Sequence, residues 1–496
     1  MAFLLFAAPK FTRKIMSDFI GRTYELQVLQ RFMQKKTASF LVVRGRRRIG
    51  KSRLIEEFAK PYKFYNFAGI APTKKTTAQS QRNEFASQLS NQGFPRIKSD
   101  NWNDLFWLLA EKVTKGRVII LFDEISWMGS KDPEFLGKIK NVWDKNFKKN
   151  PQLIFIICGS ASSWIEKNIL SHTGFVGRIS FTLTLDELPL NNCKQFWMAK
   201  GKNISAMEKL KILAVTGGVP RYLEEIDPNI AAGENIKNLC FTKGALLVED
   251  FGRIFSNIFI RKSEVYKKLV QILAAGSKEF TEICNTLKIE ESGRISEYLE
   301  ELSLAGFIKR DYTWHLKNSK DAKLSKFRLS DNYLRFYLKY IDKYKSKIER
   351  NSYAFKSLSA LPGWDTIIAL QFENLVLNNR QFIWQKLGIE PEDIISENPF
   401  FQHKTTKQVG CQIDYLIQTK FDSLFVCEIK FSKNTLTPEI IDEMQNKIRR
   451  LIRPKNFSCR PVLIHANEVH SSIIDSDYFA AIIDFGEILS NAKNPG

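Results

Sequence analysis

The sequence predicts an α/β chain in three parts, on the strength of three local patterns. Residues 38–43 form an apolar run, followed by Gly45-Arg46-Arg47-Arg48-Ile49-Gly50-Lys51-Ser52. Residues 53–59 then carry apolar side chains at helical spacing, so the segment reads as strand, glycine turn, helix. Residues 117–124 run through five consecutive apolar positions into Asp123-Glu124, as a buried parallel strand delivering acids at its carboxyl end does. Near the C-terminus, Asp414 lies on one strand-like segment, and Glu428 and Lys430 lie on the next.

With 496 residues, the chain has room for about three domains. The expected division is a non-structural extension at 1–15, a parallel-sheet domain with a helical subdomain at 16–250, a helical and basic middle segment at 255–350, and a second α/β domain at 351–496. A hydrophobic content of 44% is enough for sizeable cores. The net charge of +22 favours polyanions, so nucleic acid, DNA first, is the expected partner; the alternative is a lysine excess that serves solubility. Cys158, Cys193, Cys240, Cys284, Cys411, Cys427 and Cys459 form no metal-ligand spacing, and reduced core cysteines in a cytoplasmic protein are expected. Residues 2–8 are apolar, but the run is too short to span a bilayer and no basic residue precedes it, so neither a secretory signal nor a membrane partner is expected. Met16 begins a more typical opening.

The pattern G-x-x-x-x-G-K-S is that of a P-loop. Backbone N–H groups of Gly45, Arg46, Arg47, Arg48, Ile49 and Gly50, together with the helix dipole, would converge on phosphate. Lys51 would reach the β- and γ-phosphates, and the Ser52 hydroxyl would bind Mg2+. Asp123 is the candidate for the Mg2+ shell, and Glu124 the candidate base that orients attacking water. A third strand at 153–158 ends in Gly159-Ser160. Ser160 is either a hydrogen-bonding sensor of the γ-phosphate or water, or part of a simple turn. Arg178 is a candidate for transition-state charge, in cis or across a subunit interface; the plain alternative is a solvated arginine.

Phe19-Ile-Gly21-Arg22 with Glu25-Leu26 opens this domain, and Thr216-Gly217-Gly218-Val219-Pro220-Arg221-Tyr222 closes it. Together with the P-loop, Asp123-Glu124 and Gly159-Ser160, this order resembles the AAA+/STAND P-loop ATPases over residues 16–250, and among them the ATPases common in archaea. The resemblance implies ATP and Mg2+ as ligands and Pro220 and Arg221 near the nucleotide. It also implies that one of Arg46, Arg47 and Arg48 faces a phosphate or a neighbouring subunit, which makes a homo-oligomer compatible with the sequence.

Residues 263–330 read as three helices and a hairpin, the third helix running from Ser292 to Gly306, and resemble a winged helix-turn-helix. Arg294 and Ser296 are the outward candidates for the major groove, although Glu297, Glu300 and Glu301 on the same helix repel phosphate. Between 309 and 350 basic residues outnumber acidic ones. The interleaved Tyr312, Trp314, Tyr333, Phe336, Tyr337, Tyr340 and Tyr344 read as core.

In the last part, an isolated acid, Glu373, sits on a helix. Then come Asp414, Glu428-x-Lys430 and a helix with a polar face at 440–447. This order resembles the PD-(D/E)XK, restriction-endonuclease-like fold, and the C-terminal domain of unknown function, DUF234, that accompanies such ATPases. The resemblance implies Mg2+ on Asp414 and Glu428, with Glu373 completing the shell, and Lys430 positioning or helping to deprotonate a water. Ile413 precedes Asp414, so the proline of the family name is absent. A surface hairpin, or a degenerate fold kept for DNA binding or packing, is the alternative.

The combined expectation is an ATPase that couples turnover to DNA binding or Mg2+-dependent DNA cleavage, with no small-molecule substrate beyond ATP and water. The rival is an ATP-driven regulatory switch with a DNA- or protein-binding winged helix and an inert C-terminal domain.

Overall fold

The computed structural model describes residues 19–160, 162–198, 204–258, 263–291, 293–406 and 408–490. The extension expected at 1–15 and Ser292 of the third helix lie outside them. The N-terminal sheet has five strands, β1 (Ser39–Gly45), β2 (Lys63–Ala68), β3 (Val118–Asp123), β4 (Leu153–Gly159) and β5 (Phe181–Leu185), in the order β2-β3-β4-β1-β5. Every neighbouring pair is parallel. The central strands β3 and β4 are apolar almost throughout because helices cover both faces. Phe40, Val42, Ile120 and Phe155 face one apolar cluster, and Leu41, Val43, Ile119 and Ile156 face the other. All five carboxyl ends therefore lie along one edge, where ligands of parallel sheets bind.

Three helices follow at Ser263–Ala274, Phe280–Leu287 and Gly293–Leu304, and then an antiparallel hairpin of β6 (Ile308–Trp314) and β7 (Asp321–Leu329). The third helix ends at Leu304, and Gly306 in the turn just beyond it has a φ of +80° that suits glycine. Arg294 and Ser296 are exposed. Two of the three acids of the same helix are already engaged, since Lys167 of the first domain pairs with Glu297 and Glu301. Tyr333, Phe336, Tyr337 and Tyr340 are buried, as the core reading of the aromatic stripe required.

The second sheet holds β8 (Ile394–Gln402), β9 (Cys411–Thr419), β10 (Ser423–Lys430), β11 (Ser458–His465) and β12 (Ala481–Asp484), in the order β12-β11-β10-β9-β8. It is mixed: β8–β9 and β9–β10 are antiparallel, while β10–β11 and β11–β12 are parallel with the helix Glu439–Arg450 as the first crossover. The tip of the β6–β7 hairpin plugs into this sheet's core. Trp314 and Leu316 are buried with Ile413, Leu416, Leu424 and Leu463. The Trp314 indole N–H donates to Gln418 Oε1 (2.6 Å), and Thr313 exchanges hydrogen bonds with the Phe401 backbone on edge strand β8. A separate apolar cluster runs without a break from Leu188 to Leu489, joining the end of the first domain to both later parts.

The seven cysteines are free thiols, six of them buried. Among the described residues no helix is long and apolar enough to cross a membrane.

The plugged hairpin makes a graded prediction. Trp314→Ala should lower stability by about 3–5 kcal/mol in denaturant titration, the range for truncating a buried large aromatic. Lys317→Ala, on the exposed turn beside it, should stay within about 0.5 kcal/mol.

Candidate nucleotide site and a second acid cluster

At the end of β1 the chain must turn within a tight space. A side chain at Gly45 would meet the Leu185 carbonyl at 2.4 Å, and Gly50 precedes the helix Lys51–Ala59 with φ +89°. The resulting loop opens its N–H groups at a helix N-terminus. The Lys51 ammonium is buried and donates to the carbonyls of Gly45 (2.9 Å) and Arg46 (3.0 Å), which keeps a full positive charge within the loop. The Ser52 hydroxyl donates to Asp123 Oδ2 at 2.5 Å, and the other Asp123 oxygen accepts from the Glu124 N–H (2.8 Å). Glu124 sits in the left-handed region, φ +48°. Its carboxylate is held by Ser160, through the hydroxyl at 3.1 Å and the backbone N–H at 3.3 Å. Strands β1, β3 and β4 thus bring together Lys51, Ser52, Asp123, Glu124 and Ser160.

These residues fit a magnesium–triphosphate ligand. Ser52 and Asp123 offer adjacent hard oxygens, as Mg2+ requires. Within the loop, Arg47 Nη1 and Arg46 Nε and Nη2 are buried with no hydrogen-bond partner, donors suited to an anion. Pro220 packs against Gly50, its Cγ 3.9 Å from where a side chain would begin.

Other expected residues have different surroundings. The Arg46 guanidinium is buried and pairs with Glu187 (3.0 Å) and with Asp331 from the segment after β7. Arg48 Nε donates to the fully buried Asp250 (2.5 Å), which also accepts from the Tyr222 hydroxyl. Two of the three loop arginines therefore fasten the P-loop to downstream chain. Arg221 pairs at the surface with Glu224 and Glu225. The structure departs most at Arg178. It precedes β5, at the opposite edge of the sheet, and forks onto Asp144 with contacts of 2.8–3.2 Å. β1 alone separates the two edges by about 20 Å, so Arg178 does not reach the P-loop of its own chain.

Several residues at the site had no recognised role in the sequence. Arg22 (φ +60°) donates to the Ile49 carbonyl (3.1 Å) and the Asp186 carbonyl (2.6 Å), tying the opening motif to the P-loop. Glu187 accepts from the Gly218 N–H (2.9 Å) as well as from Arg46. Glu187 is signalled only by its place just beyond a strand's carboxyl end; Asp250 and Asp331 carry no local signal.

In the second sheet, Asp414 on β9 and Glu428 and Lys430 on β10 share a face. Asp414 Oδ2 accepts from the Ile429 N–H (3.0 Å). Lys430 lies 3.1 Å from Glu428 and 2.8 Å from Glu443. Lys447, from the crossover helix, pairs with Glu428 and stands 3.7 Å from Asp414. Burial, then the charge of Glu428, pushes the Asp414 carboxyl up, while Lys447 pulls it down. Burial lowers the Lys430 ammonium, but Glu443 and Glu428 outweigh it and push it up to about 12. Burial raises the Glu373 carboxyl, while Arg328, Arg335 and Lys447 pull it down. Its charge in turn helps to raise Asp414, which puts Glu373 in the neighbourhood of the acid pair. Among the described residues, no group of three or more His, Cys, Asp or Glu side chains is placed to hold a metal ion. With Lys447 lying between the acid pair, this cluster fits a divalent metal poorly.

Around Arg46, one guanidinium faces the buried Asp331 and the partly exposed Glu187, and desolvation raises both carboxyls above the ordinary carboxylate range. A carboxyl raised in the folded state binds its proton more tightly there than when unfolded, so stability falls as pH rises through that interval. Unfolding free energy should decline between about pH 5 and 8, by at most about 1.4 kcal/mol per pH unit for each such proton. Glu187→Gln should make that decline shallower in denaturant titrations.

The comparisons with known proteins agree with this geometry. Residues 19–226 match the family described as an ATPase domain predominantly from Archaea. An uncharacterized protein of Methanocaldococcus jannaschii, MJECL04, is 26% identical over 353 residues, 69% of this chain and 73% of its own length. The Walker-type ATPase PABY2304 of Pyrococcus abyssi superposes with a TM-score of 0.50 at 17% identity, over 65% of this chain and 97% of that one. The ORC2 protein of Aeropyrum pernix gives a TM-score of 0.41 at 13% identity, over 68% and 96%. The parallel sheet, the P-loop and the acids at its carboxyl edge therefore form an ATPase domain of the archaeal type.

Proposed function

We propose that the chain is a Mg2+-dependent ATPase whose nucleotide state is passed to its later modules, which act on DNA. The observation that carries the coupling is the pair of P-loop arginines bound to distant acids, Arg46 to Asp331 and Arg48 to Asp250. A change in loop conformation on binding the triphosphate is felt at both acids, because a buried charge cannot leave its partner without a new one. Lys51 and the loop N–H groups bind phosphate, and Ser52 and Asp123 hold Mg2+, which neutralises charge building on the phosphates. Glu124 orients the attacking water and takes its proton, and Ser160 holds that carboxylate in place. In this reading the three helices and hairpin are a winged helix whose hairpin serves as a joint, and residues 351–496 form the PD-(D/E)XK-like part.

Cleavage of DNA by that last part is the second reading. Asp414, Glu428 and Lys430 on one face favour it, and Lys447 seated between the acids favours the rival, a regulatory switch with an inert C-terminal domain. Plasmid and linear DNA incubated with Mg2+ or Mn2+, with and without ATP, decides between them. Nicking that is lost in Lys430→Ala establishes cleavage. Intact DNA alongside active ATP hydrolysis establishes the switch.

Lys51→Ala should abolish ATP turnover. Glu124→Gln should bind ATP but hydrolyse it about 10²–10⁴-fold more slowly. Phosphate release measured alongside nucleotide-binding fluorescence checks both, and unchanged turnover in Lys51→Ala would remove the ATPase reading. DNA should stimulate turnover, and the ratio of stimulated to basal rate should fall in Asp331→Asn.

A further inference from the structure

On the third helix Glu297 and Glu301 are paired with Lys167 and the hairpin tip is buried in the C-terminal core, which leaves Arg294 and Ser296 as the exposed candidates for DNA there, with a single cation between them. The net charge of +22 therefore needs another location. Because all five strands of the first sheet are parallel, every segment that enters a strand lies along one edge, opposite the P-loop. Those segments are basic without exception. Lys35 and Lys36 enter β1, Lys60 and Lys63 enter β2, and Lys112, Lys115 and Arg117 enter β3. Lys145, Lys148 and Lys149 enter β4, and Arg178 enters β5. All nine lysines are exposed. The acids interspersed among them are Glu57, Glu111 and Asp144; Glu57 pairs with Lys60, and Asp144 with Arg178 and Lys148.

We propose that this edge of the ATPase sheet is a docking surface for the phosphate backbone of duplex nucleic acid. Five strands span about 19 Å, a length over which a duplex carries roughly eleven phosphate charges. An open groove runs along the ends that enter β4, β1 and β5, lined by Thr37, Asp144, Lys148, Lys149, Arg178 and Ser180 above the buried Trp143. A lipid surface fits less well. In the segments entering the strands, Val176 is the one large apolar side chain among the described residues that is exposed, too little for insertion at a bilayer interface. Contacts of this kind carry no base readout, so binding is strongly salt-dependent and indifferent to sequence. The inference builds on the nucleic-acid half of the proposed function and relocates it to the face away from ATP.

The test titrates full-length protein with a short fluorescent duplex over about 50 to 200 mM salt. Two variants are compared, Lys112→Gln/Lys115→Gln and Lys148→Gln/Lys149→Gln, together with their combination. None of these side chains belongs to the nucleotide site, so basal ATP turnover reports that each variant is folded. The combined variant should bind at least about tenfold more weakly, and its log–log salt slope should be shallower by up to about 3.6, at about 0.9 per lost contact. Arginine in place of the same four lysines should restore binding. Parental affinity and slope in the combined variant would overturn the proposal, as would binding lost in Arg294→Ala instead, with the nucleic-acid reading left standing. A parent protein that binds anionic phosphatidylserine vesicles but no duplex would overturn both.

Discussion

The Arg46 guanidinium is the constraint around which the rest is organised. It belongs to the P-loop by sequence, yet it is buried between Glu187, just past the end of β5, and Asp331, just past the end of β7. A buried arginine with two carboxylates is costly to assemble and costlier to break, since removing either partner leaves charge without compensation. Asp331 is itself committed, capping the short helix Asn332–Phe336 through the Leu334 N–H. Glu187 also holds the Gly218 N–H, and so the glycine–proline element that packs on Gly50. One side chain thus fixes the nucleotide loop, the element that closes its domain and the first turn after the hairpin. Arg48, Asp250 and Tyr222 form a parallel tie to the helical subdomain. The nucleotide loop and the later modules are held by the same buried ion pairs.

What the sequence disclosed and what it withheld divide along a physical line. The parallel sheet, its loop and the acids at its edge were legible because each is local: a strand, a turn and a helix within about twenty residues, or an apolar run ending in Asp123-Glu124. The pairing of Ser52 with Asp123 follows from placing two such local patterns at neighbouring carboxyl ends. The helices and hairpin of the middle part were also visible in periodicity, and the aromatic stripe read as core is buried at Trp314, Tyr333, Phe336, Tyr337 and Tyr340 but exposed at Tyr312. The fate of Arg46, Arg48 and Arg178 was not visible, because nothing in a run of arginines says which acid, 141 or 202 residues away, each will meet. Lys447 is the same case. Its helix was evident, but that its ammonium would sit between Asp414 and Glu428 depends on a crossover packing that no spacing reveals.

The second acid cluster shows how a motif and its environment can disagree. Asp414, Glu428 and Lys430 have the spacing and shared face that metal-assisted chemistry asks for. Their surroundings supply cations from within the chain instead, Lys447 to both acids and Lys430 to Glu428. A divalent ion entering there would have to displace an ammonium already neutralising the pair, so metal affinity and helix position become one equilibrium.

The hairpin tip carries a consequence for how such a chain can be cut and rejoined. Trp314 and Leu316 are encoded in the middle of the sequence but are structurally residents of the C-terminal sheet, where they fill the space beside Ile413 and Leu463, while the neighbouring Thr313 guards the border of β8. A shuffling event or proteolytic nick at the apparent boundary near residue 350 would leave that sheet with an open apolar socket and an unguarded outer strand, both invitations to self-association. The heritable unit that can travel alone therefore begins before Ile308, well upstream of where composition draws the line.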